Sequence, residues 1–215
     1  MQRRLTLVSA AMLAAASVFT LAACSTTPTR FYTLAAAGAS GTSAATTKAS
    51  AAAPATGQTF IEVLPVSVPE RLARPQIVVR TDDTRVDILE QDRWSAPFNN
   101  ELRDALASGV ANRLGAVDVT RGGRPANQLV YRIVVELRQL DAVKGGKVDA
   151  SFGWTVTRSD NNTSTVCRLA VVEPVGGIGI DGVVQGMQRA VANAADAISA
   201  DVTALRAGKG GACSS

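Results

Sequence analysis

The sequence predicts an α+β domain in which a mostly antiparallel β-sheet packs against two α-helices. Apolar and polar residues alternate strictly from Leu129 to Leu137, which is typical of a strand with one buried face. Two further alternating segments follow across turns at 144–147 and 159–162, which indicates an antiparallel meander. Two other segments carry apolar residues at three- and four-residue spacing, and that period predicts the helices.

Residues 1–23 have the pattern of a lipoprotein signal peptide. Arg3 and Arg4 precede an uncharged segment, which ends in Leu21-Ala22-Ala23-Cys24. A basic start, an apolar middle and small residues before the cleavage site are typical of secretion signals. The last four residues resemble the bacterial lipobox, so we expect cleavage before Cys24 and attachment of acyl chains such as palmitate. A secretory peptide with a chance cysteine is the alternative, and the apolar run is shorter than the ~20 residues of a transmembrane helix.

Composition excludes several classes of function. The 215 residues carry a formal net charge of +4, which falls to +2 when Arg3 and Arg4 leave with the signal. This balance argues against a nucleic-acid-binding protein. The chain has no histidine, the commonest general base and metal ligand, so Ser-His and Cys-His catalytic arrangements are excluded. We therefore expect no catalytic residues, no metal and no cofactor.

Two cysteines remain after Cys24 is assigned to lipid. Cys167 lies in a predicted strand and Cys213 in a Gly-rich tail. In an oxidising envelope these two cysteines could form one disulfide, and two unpaired thiols are the alternative. Without histidine they do not make a zinc site.

The mature chain divides into five parts. Residues 24–28 are a lipidated tether, and 29–34 contain aromatic and β-branched residues that predict the first strand of the domain. Residues 35–57 are rich in Ala, Ser and Thr without apolar periodicity, so we expect a flexible insertion that is dispensable for folding. The main domain spans 58–207, and 208–215 form a tail.

Elements of the main domain follow from local patterns. Strands are predicted at Phe60–Val66, Gln76–Arg80, Arg85–Glu90 and Ala116–Thr120. The first helix is expected to begin at Pro97, with Ser95 or Ala96 as its N-cap, and to end before Gly115. In the second helix, Asp181–Ala207, a narrow apolar stripe predicts packing on the sheet, and a partner-helix seam is the alternative; the stripe consists of Val184, Met187, Val191, Ala194, Ile198, Val202 and Leu205.

Several motifs together resemble one known family, the ABC-transport auxiliary lipoproteins, the PqiC-like group. The resemblance covers nearly the whole mature chain except 35–57. After the lipobox, its motifs are Tyr32-Thr33-Leu34, the Val-x-Val-Pro-x-x-Leu segment from Val66 to Leu72, Trp94-Ser95-Ala96-Pro97, Gly146-Lys147-Val148 with Trp154, and Asp181-Gly182.

The resemblance implies a non-enzymatic lipoprotein on the periplasmic face of the outer membrane of a Gram-negative cell. Such a protein is expected to be an accessory component of an MCE/ABC-type lipid-transport system that spans the periplasm and supports membrane integrity. The expected partners are the membrane, through Cys24, and an MCE-type protein; homo-oligomerisation stays open. The alternatives are a stand-alone structural or assembly lipoprotein and a periplasmic hydrolase.

Overall fold

The fold consists of two β-sheets and two α-helices. The computed structural model describes residues 27–35, 57–123, 127–210 and 213. The α+β class with two helices is confirmed. In chain order the strands are β1 (Arg30–Tyr32), β2 (Phe60–Val63), β3 (Gln76–Arg80), β4 (Val86–Trp94), β5 (Val117–Asp118), β6 (Val130–Ala142), β7 (Lys147–Arg158) and β8 (Ser164–Pro174), and the helices are α1 (Phe98–Leu114) and α2 (Ile180–Arg206).

Both sheets are mixed rather than purely antiparallel. The larger sheet has the strand order β5-β2-β6-β7-β8, and the smaller one has the order β1-β4-β3. The long pairs β6–β7 and β7–β8 are antiparallel, as the alternation predicts. By contrast, β2 runs parallel to β5 and β6, and β1 runs parallel to β4. These parallel partners are far apart in the sequence, where the local pattern gives no sign of their direction.

The core lies between the helices and the inner face of the larger sheet. All seven residues of the predicted apolar stripe on α2 are buried, so the prediction that this stripe packs in the core is confirmed. The inner faces of β6 and β7 meet it with the side chains that alternation assigned to them. These are Tyr131, Ile133, Val135 and Leu137 from β6 and Val148, Ala150, Phe152, Trp154 and Val156 from β7.

Helix α1 begins one residue later than predicted, because Pro97 is the N-cap and Phe98 the first helical residue. Neither Ser95 nor Ala96 is the cap. The Trp94 ring packs on that of Phe98, with centroids 5.3 Å apart. The helix ends as predicted at Gly115, whose φ of 57° is in the left-handed region that glycine adopts without strain.

The Asp181-Gly182 pair has a steric explanation. A β-carbon on Gly182 would overlap the carbonyl oxygen of Gly176, so only glycine fits where the loop before α2 folds over its first turn.

Neither of the two described helices is long and apolar enough to cross a lipid bilayer.

Candidate functional site

The residues predicted to carry the lipid anchor lie outside the described part of the chain. This holds for the whole signal peptide and for Cys24. Of the insertion, only its ends, Ala35 and Gly57, are described. The junction between the predicted anchor segment and the domain is described from Thr27 onward, and it is the candidate functional site.

A buried carboxylate fastens β1 to the smaller sheet. Asp92 of β4 is 7% exposed, and its Oδ1 accepts hydrogen bonds from Arg30 Nε at 2.8 Å and from the Tyr32 hydroxyl at 3.2 Å. Burial and the Asp92 carboxylate raise the pKa of Tyr32 to about 12. The phenol is therefore a protonated donor at neutral pH. Charge-assisted hydrogen bonds of this kind are stronger than neutral ones.

A second buried carboxylate continues this fastening. Glu101 on α1 accepts hydrogen bonds from the Leu34 amide at 3.0 Å and from the Thr33 hydroxyl at 2.8 Å. The hydroxyl of Ser95 donates to its other oxygen, which is where that side chain goes instead of capping the helix. The Ser95 amide donates to the Tyr32 carbonyl oxygen. Glu101 thus joins two of the family motifs, Tyr32-Thr33-Leu34 and Trp94-Ser95-Ala96-Pro97.

The side chains of β1 and of the residues just after it differ in their exposure. Leu34 is 2% exposed and belongs to the main core, and Tyr32 is partly buried. Phe31, which directly precedes Tyr32 in β1, is 67% exposed. Helix α2 adds a further contact, because Gln188 Nε2 donates to the carbonyl oxygen of Thr33 at 3.1 Å. The junction is therefore part of the folded domain and still presents one aromatic ring to the outside.

The structure brings Cys167 and Cys213 together as a disulfide, with Cα atoms 5.4 Å apart. The bond ties the tail to the inner face of β8. The carboxylate of Asp201 on α2 lies close to both sulfurs. Two sulfurs bonded to each other do not serve as thiolate metal ligands.

Sequence reasoning missed the buried pair formed by Trp154 and Asp201. Trp154 Nε1 donates to Asp201 Oδ2 at 2.7 Å, and Asp201 is fully buried. Its Oδ1 has no hydrogen-bond partner among the described residues. A signal was present, because Asp201 lies on the apolar stripe of α2, three residues after Ile198 and four before Leu205.

Taken together, these features define an α+β protein of one domain whose N-terminal strand is fastened to the core by buried carboxylates. A family model described as ABC-type transport auxiliary lipoprotein component matches residues 32–199. The chain belongs to this family. The match begins at Tyr32, inside the fastened strand, and it includes both Asp92 and Glu101.

Two curated relatives carry the name Intermembrane transport lipoprotein PqiC, one from Escherichia coli (strain K12) and one from Shigella flexneri. Each is 24% identical to this chain over 117 residues, which is 54% of this chain and 62% of the relative. The similarity thus spans less than two thirds of the relatives' length.

Two crystal structures share the fold. One, of an uncharacterized protein, aligns with a TM-score of 0.62 and 18% identity over 82% of this chain and 99% of its own. The other, of a protein from Xanthomonas campestris, aligns with a TM-score of 0.53 and 14% identity over 73% of this chain and 92% of its own. At these identities the likeness shows the fold alone.

Proposed function

We propose that this protein is a non-catalytic lipoprotein, anchored through Cys24 to the periplasmic face of the outer membrane. There it acts as the accessory component of an MCE/ABC-type lipid-transport system that spans the periplasm and supports membrane integrity. Membership in a family of transport auxiliary lipoproteins supports this role. The name of the relatives, intermembrane transport lipoprotein, supports it further.

The fastened strand β1 is the observation that carries the proposal. Only residues 25–29 separate Cys24 from Arg30, and six residue steps of extended chain span roughly 20 Å. Because Asp92 and Glu101 hold the strand in the domain, the tether cannot lengthen by unravelling without breaking their hydrogen bonds. An anchor this short keeps the domain against the bilayer, where an accessory subunit would receive the end of a periplasmic partner.

The direction of β1 supports one orientation of the domain on the membrane. Strand β1 is parallel to β4 with Arg30 opposite Asp92, so the chain before Arg30 runs back along β4 toward Val86. Thr29 already follows this course, since its hydroxyl donates to the Gln91 side chain at 2.9 Å. The β3–β4 hairpin therefore faces the bilayer, with Val86 and Ile88 each 41% exposed.

This orientation is tested with lipids that quench tryptophan fluorescence. The acylated protein is placed in vesicles that contain brominated phosphatidylethanolamine, with a new tryptophan at one exposed position. We expect strong quenching for Ile88→Trp and weak quenching for Val166→Trp, a matched position that is 72% exposed on β8. Equal quenching at the two positions would overturn the orientation.

The transport role is tested by cross-linking in intact cells followed by affinity capture of the full-length lipoprotein. We expect an MCE-type protein to be captured with the wild type and lost with Cys24→Ala, because the variant is no longer held at the membrane. Several acyl chains hold a protein firmly, whereas an unacylated chain is released. Capture of no transport protein would favour the stand-alone structural lipoprotein instead.

A further inference from the structure

A second polar site lies away from the N-terminal junction. A cleft of about 250 Å³ opens where β2 and β6 begin and where β7 and α2 end. Its polar lining consists of Gln58, Thr59, Gln128, Tyr131, Arg158 and Arg206. This volume is below the ~300–1,000 Å³ of pockets for drug-sized ligands, so it suits a small polar group rather than an acyl chain.

The Tyr131 hydroxyl is buried in the wall of this cleft without a partner. Tyr131 is 2% exposed, and its hydroxyl makes no hydrogen bond to any described residue. A buried polar group without a hydrogen bond destabilises the folded protein. Burial raises the pKa of Tyr131, so the phenol remains a donor at neutral pH. Tyr131 thus contributes to the lining of the cleft a donor that no described residue uses.

Two arginines beside Tyr131 supply further donors. Arg158 uses three of its five N–H groups, two on the carboxylate of Asp160 and one on the Leu205 carbonyl oxygen. Arg206 donates one N–H to Thr59 Oγ1 at 3.0 Å and forms no ion pair with a carboxylate in the described ranges. Both guanidinium groups thus keep N–H groups that no acceptor in the described residues uses.

The charge of the cleft favours an anion. Two guanidinium charges stand against one carboxylate, that of Asp160, which leaves a balance of +1. The C-terminal end of α2 opposes this with about half a negative charge. Part of that negative charge is already neutralised, because the Leu205 carbonyl oxygen accepts a hydrogen bond from Arg158. The net local charge remains positive.

We propose that this cleft binds a phosphate group, with Arg206 and Arg158 pairing with its oxygens and the Tyr131 hydroxyl donating to one of them. Phosphate suits the site because its several oxygens accept hydrogen bonds from more than one guanidinium at a time. The group could belong to free phosphate or to a phospholipid headgroup. The site goes beyond the proposed transport role, because none of its lining residues belongs to the N-terminal junction.

The test is calorimetric titration of the full-length acylated protein in neutral detergent. One arm uses inorganic phosphate and the other uses dihexanoylphosphatidylglycerol, a short-chain phosphodiester lipid. We expect binding in at least one arm and a loss of about tenfold or more in Arg206→Gln, since hydrogen bonds between charged groups are stronger than neutral ones. Arg138→Gln, an exposed arginine on β6 paired with Glu136, is the matched control and should bind as the wild type does.

The two arms distinguish the sources of the phosphate. Binding of the lipid and not of inorganic phosphate assigns a headgroup, and the reverse assigns free phosphate. Tyr131→Phe retains the fold and removes only the hydroxyl, so it should weaken binding several-fold without lowering the melting temperature. No binding in either arm, or equal losses in Arg206→Gln and Arg138→Gln, would overturn the proposal.

Discussion

The N-terminal junction and the phosphate cleft both bury polar groups, but only at the junction do these groups have hydrogen-bond partners among the described residues. At the junction, Glu101 accepts three hydrogen bonds from the residues just after β1 and the segment before α1. In the cleft, the Tyr131 hydroxyl makes none to the described protein. A satisfied buried group stabilises the fold, whereas an unsatisfied one costs stability that only a ligand or water can return. We therefore interpret the junction, where the buried groups are hydrogen-bonded, as a structural network, and the cleft, where the Tyr131 hydroxyl is not, as a binding site.

Replacing Glu101, the acceptor of the hydrogen bonds at the junction, should lower the free energy of unfolding by the largest amount. Glu101→Ala leaves the buried Leu34 amide without an acceptor, so we expect the free energy of unfolding to fall by about 3 kcal/mol. Glu101→Gln retains one acceptor oxygen and should cost about 1 kcal/mol. Urea denaturation measures both, with Glu136→Ala, at an exposed ion pair on β6, as the control. If Glu101→Ala costs no more than that control, the junction is not held as described.

The Trp154–Asp201 pair is an intermediate case, because one carboxylate oxygen is bonded and the other is not. Asp201→Ala leaves the indole N–H unpaired and should lower the free energy of unfolding by about 2 kcal/mol. Asp201→Asn can still accept from Trp154 and should retain most of the stability. A larger loss in the asparagine variant than in the alanine variant would contradict this account.

At Tyr131, removal of the polar group should not lower the free energy of unfolding, in contrast to the changes at Glu101 and Asp201. Tyr131→Phe deletes a hydroxyl with no protein partner, so in phosphate-free buffer the free energy of unfolding should stay the same or rise by up to about 1 kcal/mol. A loss above about 1 kcal/mol in the same denaturation series would mean that the hydroxyl is satisfied within the folded protein.

The smallest effect should appear as a pH dependence at the junction. The folded pKa of Tyr32 is about 12, against an ordinary value of 10.0. Its neutral form is favoured by folding, so this contribution is complete below pH 10 and disappears as the pH rises from 10 to 12. Water screens the partly exposed phenol, which limits the size of the effect. The stability difference between wild type and Tyr32→Phe should narrow over that range, and a constant difference would contradict the assignment.

Local patterns were sufficient for the class of fold and for the faces of its longest elements. Alternation identified the buried side of β6 and β7, and the three- to four-residue spacing identified that of α2. The parallel pairing of β1 with β4 was not predictable in this way, because it depends on contacts between segments 60 residues apart. The role of Glu101 was missed for the same reason, since its partner amide is 67 residues away.

The exposure of Phe31 also required the structure. Its strand is short, and composition alone predicts a strand without telling which of its side chains lie outside the core. The pairing with β4 instead leaves the Phe31 ring outside the core while Leu34 enters it. For the tail, the sequence left a Cys167–Cys213 disulfide and two unpaired thiols open, and the structure has the disulfide.

The central claim is that the first strand is part of the folded domain and holds the membrane anchor close to it. Hydrogen exchange at the Leu34 amide tests this most directly, because that amide donates to Glu101 in the interior. In the full-length acylated protein we expect strong protection, and we expect it to be lost in Glu101→Ala while the amides of β7 remain protected. Exchange of the Leu34 amide in the wild type at the rate of an unstructured peptide would contradict the claim.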